Sequence, residues 1–130
     1  MISCIDYRFW PRDLSLLAKK FGRFDLLALA GGSKNLASPT DKENKLTALE
    51  NIRLSIKLHG AKTIVLTNHS DCGAYGGSKR FSSQKQEVDF HKKELLKAKS
   101  VIRKFFPDLR IKMVFVTRNP KTKKISLMEL

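Results

Sequence analysis

The chain alternates short, dense apolar runs with longer stretches in which apolar positions recur every three or four residues. "MISCID" is apolar and β-branched, which predicts a buried strand beginning almost at the first residue. "PRDLSLLAKKFG" follows as a brief helix, with Pro11 near its start and Gly22 at its end. "FDLLALAGGS" predicts a second strand that runs into glycines. From Asp41 to His59, residues Leu46, Leu49, Ile52, Ile56 and Leu58 fall near one helical stripe, and Gly60 closes it. "AKTIVLTN" is an unbroken buried strand, followed by the glycine-rich "NHSDCGAYGG". Gln84 to Phe106 then carries Val88, Leu95, Leu96, Ala98, Val101, Ile102 and Phe105 among many lysines, a long amphipathic helix stopped by Pro107. "RIKMVFVT" predicts a fourth strand, and "RNPKTKKISLMEL" turns at Asn119–Pro120 into a last one.

Strands alternating with helices predict an α/β fold: a mainly parallel four-stranded sheet flanked by helices, with an antiparallel C-terminal edge strand, in a single domain over residues 1–130. Ligands in open sheets of this kind sit beyond the carboxyl ends of the strands. "NHSDCGAYGG" leaves the carboxyl end of the third strand, so the reactive side chains and the freest backbone of the chain coincide where such sites form.

Composition narrows the classes. No apolar stretch approaches the ~20 residues of a membrane helix, and the opening "MISCIDYRFWPRDL" has no signal-peptide core, so a cytoplasmic address without a membrane partner is expected. Two cysteines, Cys4 and Cys72, are too few for a disulfide framework and read as a metal-binding or catalytic pair, with a lone structural disulfide as the alternative. The net charge of +14, from 26 Lys+Arg against 12 Asp+Glu, favours anionic partners or simply a lysine-rich solvated surface. Lysines and arginines crowd the late helix and the final turn, which keeps nucleic acid or another polyanion as a partner to consider. Neither an aromatic stacking platform nor a recognisable reading motif accompanies them.

On the first strand Cys4, Asp6 and Arg8 occupy alternating positions and are expected to share a side. His69 and Cys72 lie three apart at the end of the third. If those strands are neighbours, two thiolates and one imidazole converge, the donor types that zinc accepts at ~2.0–2.3 Å. Three protein ligands with a fourth place vacant describe a catalytic site. Asp6 has two open roles: to hydrogen-bond a metal-bound water, or to coordinate the ion and shut the site. A bidentate pair with Arg8 would hold the carboxylate ionised and fix its direction. Backbone N–H groups around Ala30, Gly31 and Gly73 are candidates to polarise substrate oxygens, or these glycines only make turns. By residue type His59 and His91 are proton-shuttle candidates, or surface and helix-end histidines. Tyr75 and Phe81 line the mouth of the site or pack.

With these residues in view, the sequence resembles the β-class carbonic anhydrases. "CIDYR" matches the CxDxR motif of that family and "HSDCGA" its HxxCG, and element order agrees over nearly the whole chain. Of the Arg-Asn-Ala-Gly motif common at the end of the family's second strand, "LALAGGS" retains only Ala30 and Gly31. The resemblance implies Zn2+ held by Cys4, His69 and Cys72, an Asp6–Arg8 catalytic dyad, a homodimer, and reversible hydration of carbon dioxide to bicarbonate by a metal-bound hydroxide. Alternatives on the same scaffold are a catalytically silent zinc protein, a hydrolase of carbon disulfide or carbonyl sulfide, and a nucleic-acid or polyanion-binding protein.

Overall fold

A computed structural model describes residues 1–130. Its strands are β1 (Ile2–Ser3), β2 (Leu27–Ala28), β3 (Thr63–His69), β4 (Arg110–Arg118) and β5 (Ile125–Glu129), and its helices α1 (Arg12–Phe21), α2 (Lys34–Ala37), α3 (Lys42–His59) and α4 (Gln84–Phe105). The strands form one sheet in the order β2-β1-β3-β4-β5, parallel except for β5, which runs antiparallel to β4. The fold expected from the alternation of elements is the fold observed, with β1 and β3 adjacent.

Each long helix starts and stops where its end residues direct. The Asp41 carboxylate accepts from Asn44 N at 2.8 Å to open α3, which ends on Gly60 at φ +64°. Ser83 accepts from Gln86 N at 3.2 Å to open α4. Residues of β3 alternate between two cores, as period-two side chains must. Ile64 and Leu66 pack with Leu36, Leu49, Leu95, Ala98 and Ile102 beneath α2, α3 and α4. Val65 joins Phe9, Leu17, Val114, Val116 and Ile125 on the face covered by α1.

Several boundaries differ from the expected ones. β1 ends at Ser3 and β2 spans two residues, because beyond them the chain turns away from its neighbours: residues 7–10 form a turn with Phe9 N on Asp6 O at 3.1 Å. On α3 the buried residues are Ala48, Leu49 and Ile52, whereas Leu46 and Leu58 of the expected stripe remain exposed. On α4 the buried face includes three polar residues, Glu87, His91 and Glu94, beside Leu95, Ala98 and Ile102. Leu96 and Phe105, counted into that stripe from sequence, face outward. No helix is long and apolar enough to cross a membrane.

The chain leaves β1 for β2 on one side and β3 for β4 on the other, so the order reverses between β1 and β3. That reversal opens a crevice at the carboxyl ends of the strands. Gly31 and Gly32 bring the loop after β2 into it. Both have positive φ, +79° and +56°, and a Cβ on Gly32 would lie 2.5 Å from the Thr67 carbonyl oxygen, so only glycine permits this approach to β3.

Candidate metal centre

Three segments converge in the crevice: residues 4–10 after β1, Gly31 after β2, and the end of β3 with its following turn. The sulfurs of Cys4 and Cys72 and a ring nitrogen of His69 lie within 4.8 Å of one another. Cys72 and His69 are buried, 2% and 4% exposed, and Cys4 is half-buried. The His69 ring is oriented from its far side, its Nδ1 lying 2.8 Å from the Ser70 carbonyl oxygen. A proton on Nδ1 leaves the Nε2 lone pair facing the sulfurs, and Nε2 is buried without a hydrogen-bond partner. A buried acceptor left open toward two sulfurs is the environment that a thiophilic divalent cation satisfies, so the donor set fits a metal site. Phe9 packs on the imidazole with ring centroids 4.2 Å apart.

Without an ion the two sulfurs share their protons unequally. A hydrogen bond from Cys72, helped by His69 and the Gly31 N–H, brings the Cys4 thiol down to about 4, against the opposing effect of burial. Cys72 is pushed up by the Cys4 sulfur beside it and by burial. Burial disfavours charge on His69, yet the adjacent Cys4 sulfur, the Ser70 carbonyl and Asp6 together raise its pKa above the ordinary value. The metal-free cluster therefore pairs a thiolate at Cys4 with a thiol at Cys72.

Asp6 and Arg8 meet, but not through strand alternation. Asp6 Oδ1 accepts from the Arg8 backbone N–H at 3.0 Å, folding the chain into a tight turn. The guanidinium then closes back on the carboxylate, Nε to Oδ1 at 3.0 Å and Nη2 to Oδ2 at 2.6 Å. Hydrogen bonds from Arg8 hold the Asp6 carboxyl below the usual carboxylate range, with burial opposing. Asp6 Oδ2 lies 3.8 Å from His69 Nε2, so the paired carboxylate borders the cluster.

The other candidates are distributed unevenly. The Gly31 N–H donates to Cys4 Sγ at 3.3 Å, which directs it at a sulfur. The Ala30 carbonyl accepts from Asn35, and Gly73 begins a short 3-10 turn directly after Cys72. His59 stands at the opposite end of the sheet, paired with Asp25 at 2.8 Å near Met1 and Thr63. His91 is neither on the surface nor at a helix end: it is fully buried, stacked on Phe115 at 5.0 Å and edge-on to Tyr75 at 4.9 Å. Tyr75 is buried as well, its hydroxyl 3.3 Å from the Asn68 amide, so it packs behind the cluster. Phe81 is half-buried and lines an open cleft of about 450 Å³ with Arg8, Asp71, Glu87 and Arg118.

Three acidic residues near the site were not singled out from sequence. Asp13 is 4% exposed in the first turn of α1, its pKa raised by burial. Asp71 bonds the Arg8 guanidinium, and Glu87 bonds the loop carrying Cys72. Glu87 occupies a position on the buried side of α4, where a carboxylate interrupting an apolar face is the one sequence signal available.

The family model described as "Putative carbonic anhydrase" matches residues 1–126. An uncharacterized protein of Rickettsia bellii (strain RML369-C) is 31% identical over 117 residues, covering 85% of this chain and 71% of the relative. An uncharacterized protein of Rickettsia conorii (strain ATCC VR-613 / Malish 7) is also 31% identical over 117 residues, and there the chain spans 62% of the relative's length. Among solved structures, the fold is similar to a chain from the crystal structures of two tetrameric beta-carbonic anhydrases of the filamentous ascomycete Sordaria macrospora. The TM-score is 0.63 at 16% identity, over 98% of this chain and 78% of that one.

Proposed function

From its place in the "Putative carbonic anhydrase" family, to which the chain belongs, we propose that it holds Zn2+ at Cys4, His69 and Cys72 and catalyses the reversible hydration of carbon dioxide to bicarbonate. The observation that carries this reading is the open His69 Nε2 between two sulfurs, bordered by a carboxylate that Arg8 keeps ionised. When bound, zinc supplies Lewis acidity that lowers the pKa of a coordinated water from ~15.7 toward about 7.

The chain's own residues do the rest. Asp6 Oδ2 accepts a hydrogen bond from the reacting water and fixes its direction, while Arg8 keeps Asp6 turned to the guanidinium and away from the role of fourth ligand. The Gly31 N–H tempers the charge of the Cys4 thiolate, which otherwise opposes the acidity a metal confers. Backbone N–H groups of Ala30 and Gly73 are assigned to the substrate oxygens. Ile5, Tyr7 and Trp10 stand 62%, 83% and 58% exposed on either side of Asp6 and Arg8. An apolar group of that size beside a site is what a partner subunit covers. It supports a homodimer that closes the substrate pocket, as does the tetrameric state of the Sordaria proteins.

Stopped-flow carbon dioxide hydration across pH, on protein of measured zinc content, tests the reaction. Turnover proportional to zinc content is expected. A fully zinc-loaded protein without turnover even above pH 8 refutes the activity while leaving the metal site standing.

A further inference from the structure

Asp71 lies outside the CxDxR and HxxC positions, between the two ligands that β3 and its turn supply, with a backbone φ of +55°. Every polar group it owns is engaged. Its Oδ2 accepts from Arg8 Nη1 at 2.6 Å and its carbonyl oxygen from Arg8 Nη2 at 2.8 Å. Its Oδ1 accepts from Ser78 N at 2.9 Å, and its own N–H donates to Glu87 Oε1 at 2.7 Å. The same Glu87 oxygen accepts from the Ser78 hydroxyl at 2.8 Å. Glu87 is 4% exposed and forms no ion pair, so a carboxylate is buried on α4 with this loop supplying its donors.

The consequence falls on Arg8. Asp6 and Arg8 are two residues apart on one turn, and paired only to each other they are free to swing as a unit. Asp71 takes the opposite edge of the guanidinium and ties that turn to the loop bearing Cys72. The Asp71 side chain is 52% exposed, and an isolated pair so exposed holds little. Here the fork is gripped by two oxygens of a residue whose other two bonds fix it to Ser78 and to the buried Glu87.

We infer that Asp71, itself anchored by Glu87, is a positioning residue that locks Arg8 onto Asp6 and so keeps the Asp6 carboxylate from taking the fourth place at the Cys4/His69/Cys72 cluster. This deepens the proposed function and rests on the metal reading of that cluster.

The experiment uses the full chain, as wild type and as Asp71→Asn, Glu87→Ala, Asp6→Asn and the Asp71→Asn/Asp6→Asn double variant. Asparagine tolerates positive φ, so Asp71→Asn keeps the turn and removes the charge. Nitrogen-15 NMR of the Arg8 guanidinium, with no metal bound, reads the lock directly. Azide titration of the Co2+-loaded protein, followed in its visible absorption, reads whether the fourth place is open. Slowly exchanging Arg8 Nη resonances are expected in the wild type and broadened ones in Asp71→Asn. Cobalt stoichiometry is expected to stay unchanged while azide affinity falls about three- to tenfold. In the double variant azide affinity is expected to return to that of Asp6→Asn, because no carboxylate remains to compete. Glu87→Ala gives the same signature if Asp71→Asn does not fold.

Unchanged Arg8 resonances in the variants overturn the inference. So does a loss of azide affinity that Asp6→Asn fails to rescue, since that reports distortion alone. A wild-type chain that takes up no cobalt refutes the metal reading and with it the effect on the fourth place; the guanidinium resonances then decide by themselves whether Asp71 holds Arg8.

Discussion

His91 gives a quantitative test of the packing behind the site. The imidazole is wholly buried between Tyr75, Phe90 and Phe115, and its Nε2 has no hydrogen-bond partner. Burial, reinforced by His69 and Arg80 and partly offset by Glu94, pushes its pKa down from 6.5 to about 4. Above pH 6.5 the ring is neutral in both folded and unfolded chains and contributes no pH dependence. Between pH 6.5 and about 4 the unfolded chain binds a proton that the folded one refuses, so stability falls as pH falls and levels off below that range. The full loss amounts to about 3 kcal/mol, with a steepest slope near 1.4 kcal/mol per pH unit. His91→Phe keeps the stacking on Phe115 and removes the titration, while Asn68 retains its contact to the Tyr75 hydroxyl. Urea unfolding of both proteins in the presence of a chelator, at half-unit steps from pH 4 to 7.5, isolates the effect as a difference between two curves. The variant is expected to gain on the wild type by about 3 kcal/mol over that range. Parallel curves, or a His91 NMR titration centred near 6.5, would refute the reasoning. They would also reopen the shuttle role that a buried ring, neutral at pH 7, does not serve.

Three substitutions test the site itself. Cys72→Ser is expected to lower the zinc content of purified protein severalfold, measured by inductively coupled plasma mass spectrometry, and a full complement of zinc contradicts the ligand assignment. Asp6→Asn is expected to keep its zinc and lose about 10²–10⁴-fold in hydration rate by stopped flow, the range for a positioned proton acceptor; wild-type turnover removes Asp6 from the mechanism. Gly32→Ala forces a side chain into positive φ and against the Thr67 carbonyl. A loss of at least about 1–3 kcal/mol in urea unfolding is expected, and an unchanged midpoint shows that the loop after β2 yields.

Legibility from sequence followed the range of the interactions involved. β3, β4, α3 and α4 were readable because each is long and periodic and carries its own end signals, such as Asp41, Gly60 and Ser83. Short right-handed crossovers permit β1 beside β3 without requiring it, and the observed pairing is what brings Cys4, His69 and Cys72 together. β1 and β2 were overestimated because Asp6 folds its own turn through the Arg8 N–H, a local bond that ends extended structure. On α4 the sequence leaves His91 open to a surface or helix-end position and gives Glu87 and Glu94 no mark of burial, since nothing local reveals that the loop after β3 or the aromatic layer covers them. Asp71 was hidden for the same reason: its bonds to Arg8 and Glu87 span 63 and 16 residues of chain.

The inward turn of these carboxylates also bears on the net charge. Asp13, Glu87 and Glu94 are 3–4% exposed, and Asp6 and Asp71 are tied to Arg8, so much of the acidic complement sits inside or around one site. The exterior is therefore more positive than a balance of +14 suggests, with Lys92, Lys93, Lys97 and Arg103 all facing solvent along α4. A basic surface produced in this way needs no polyanionic partner to account for it. Its physical effect is a field that gathers small anions near the molecule and is screened over about 8–10 Å at physiological ionic strength. A small anion meets that field before it reaches the cluster, so added salt is expected to weaken its association with the protein.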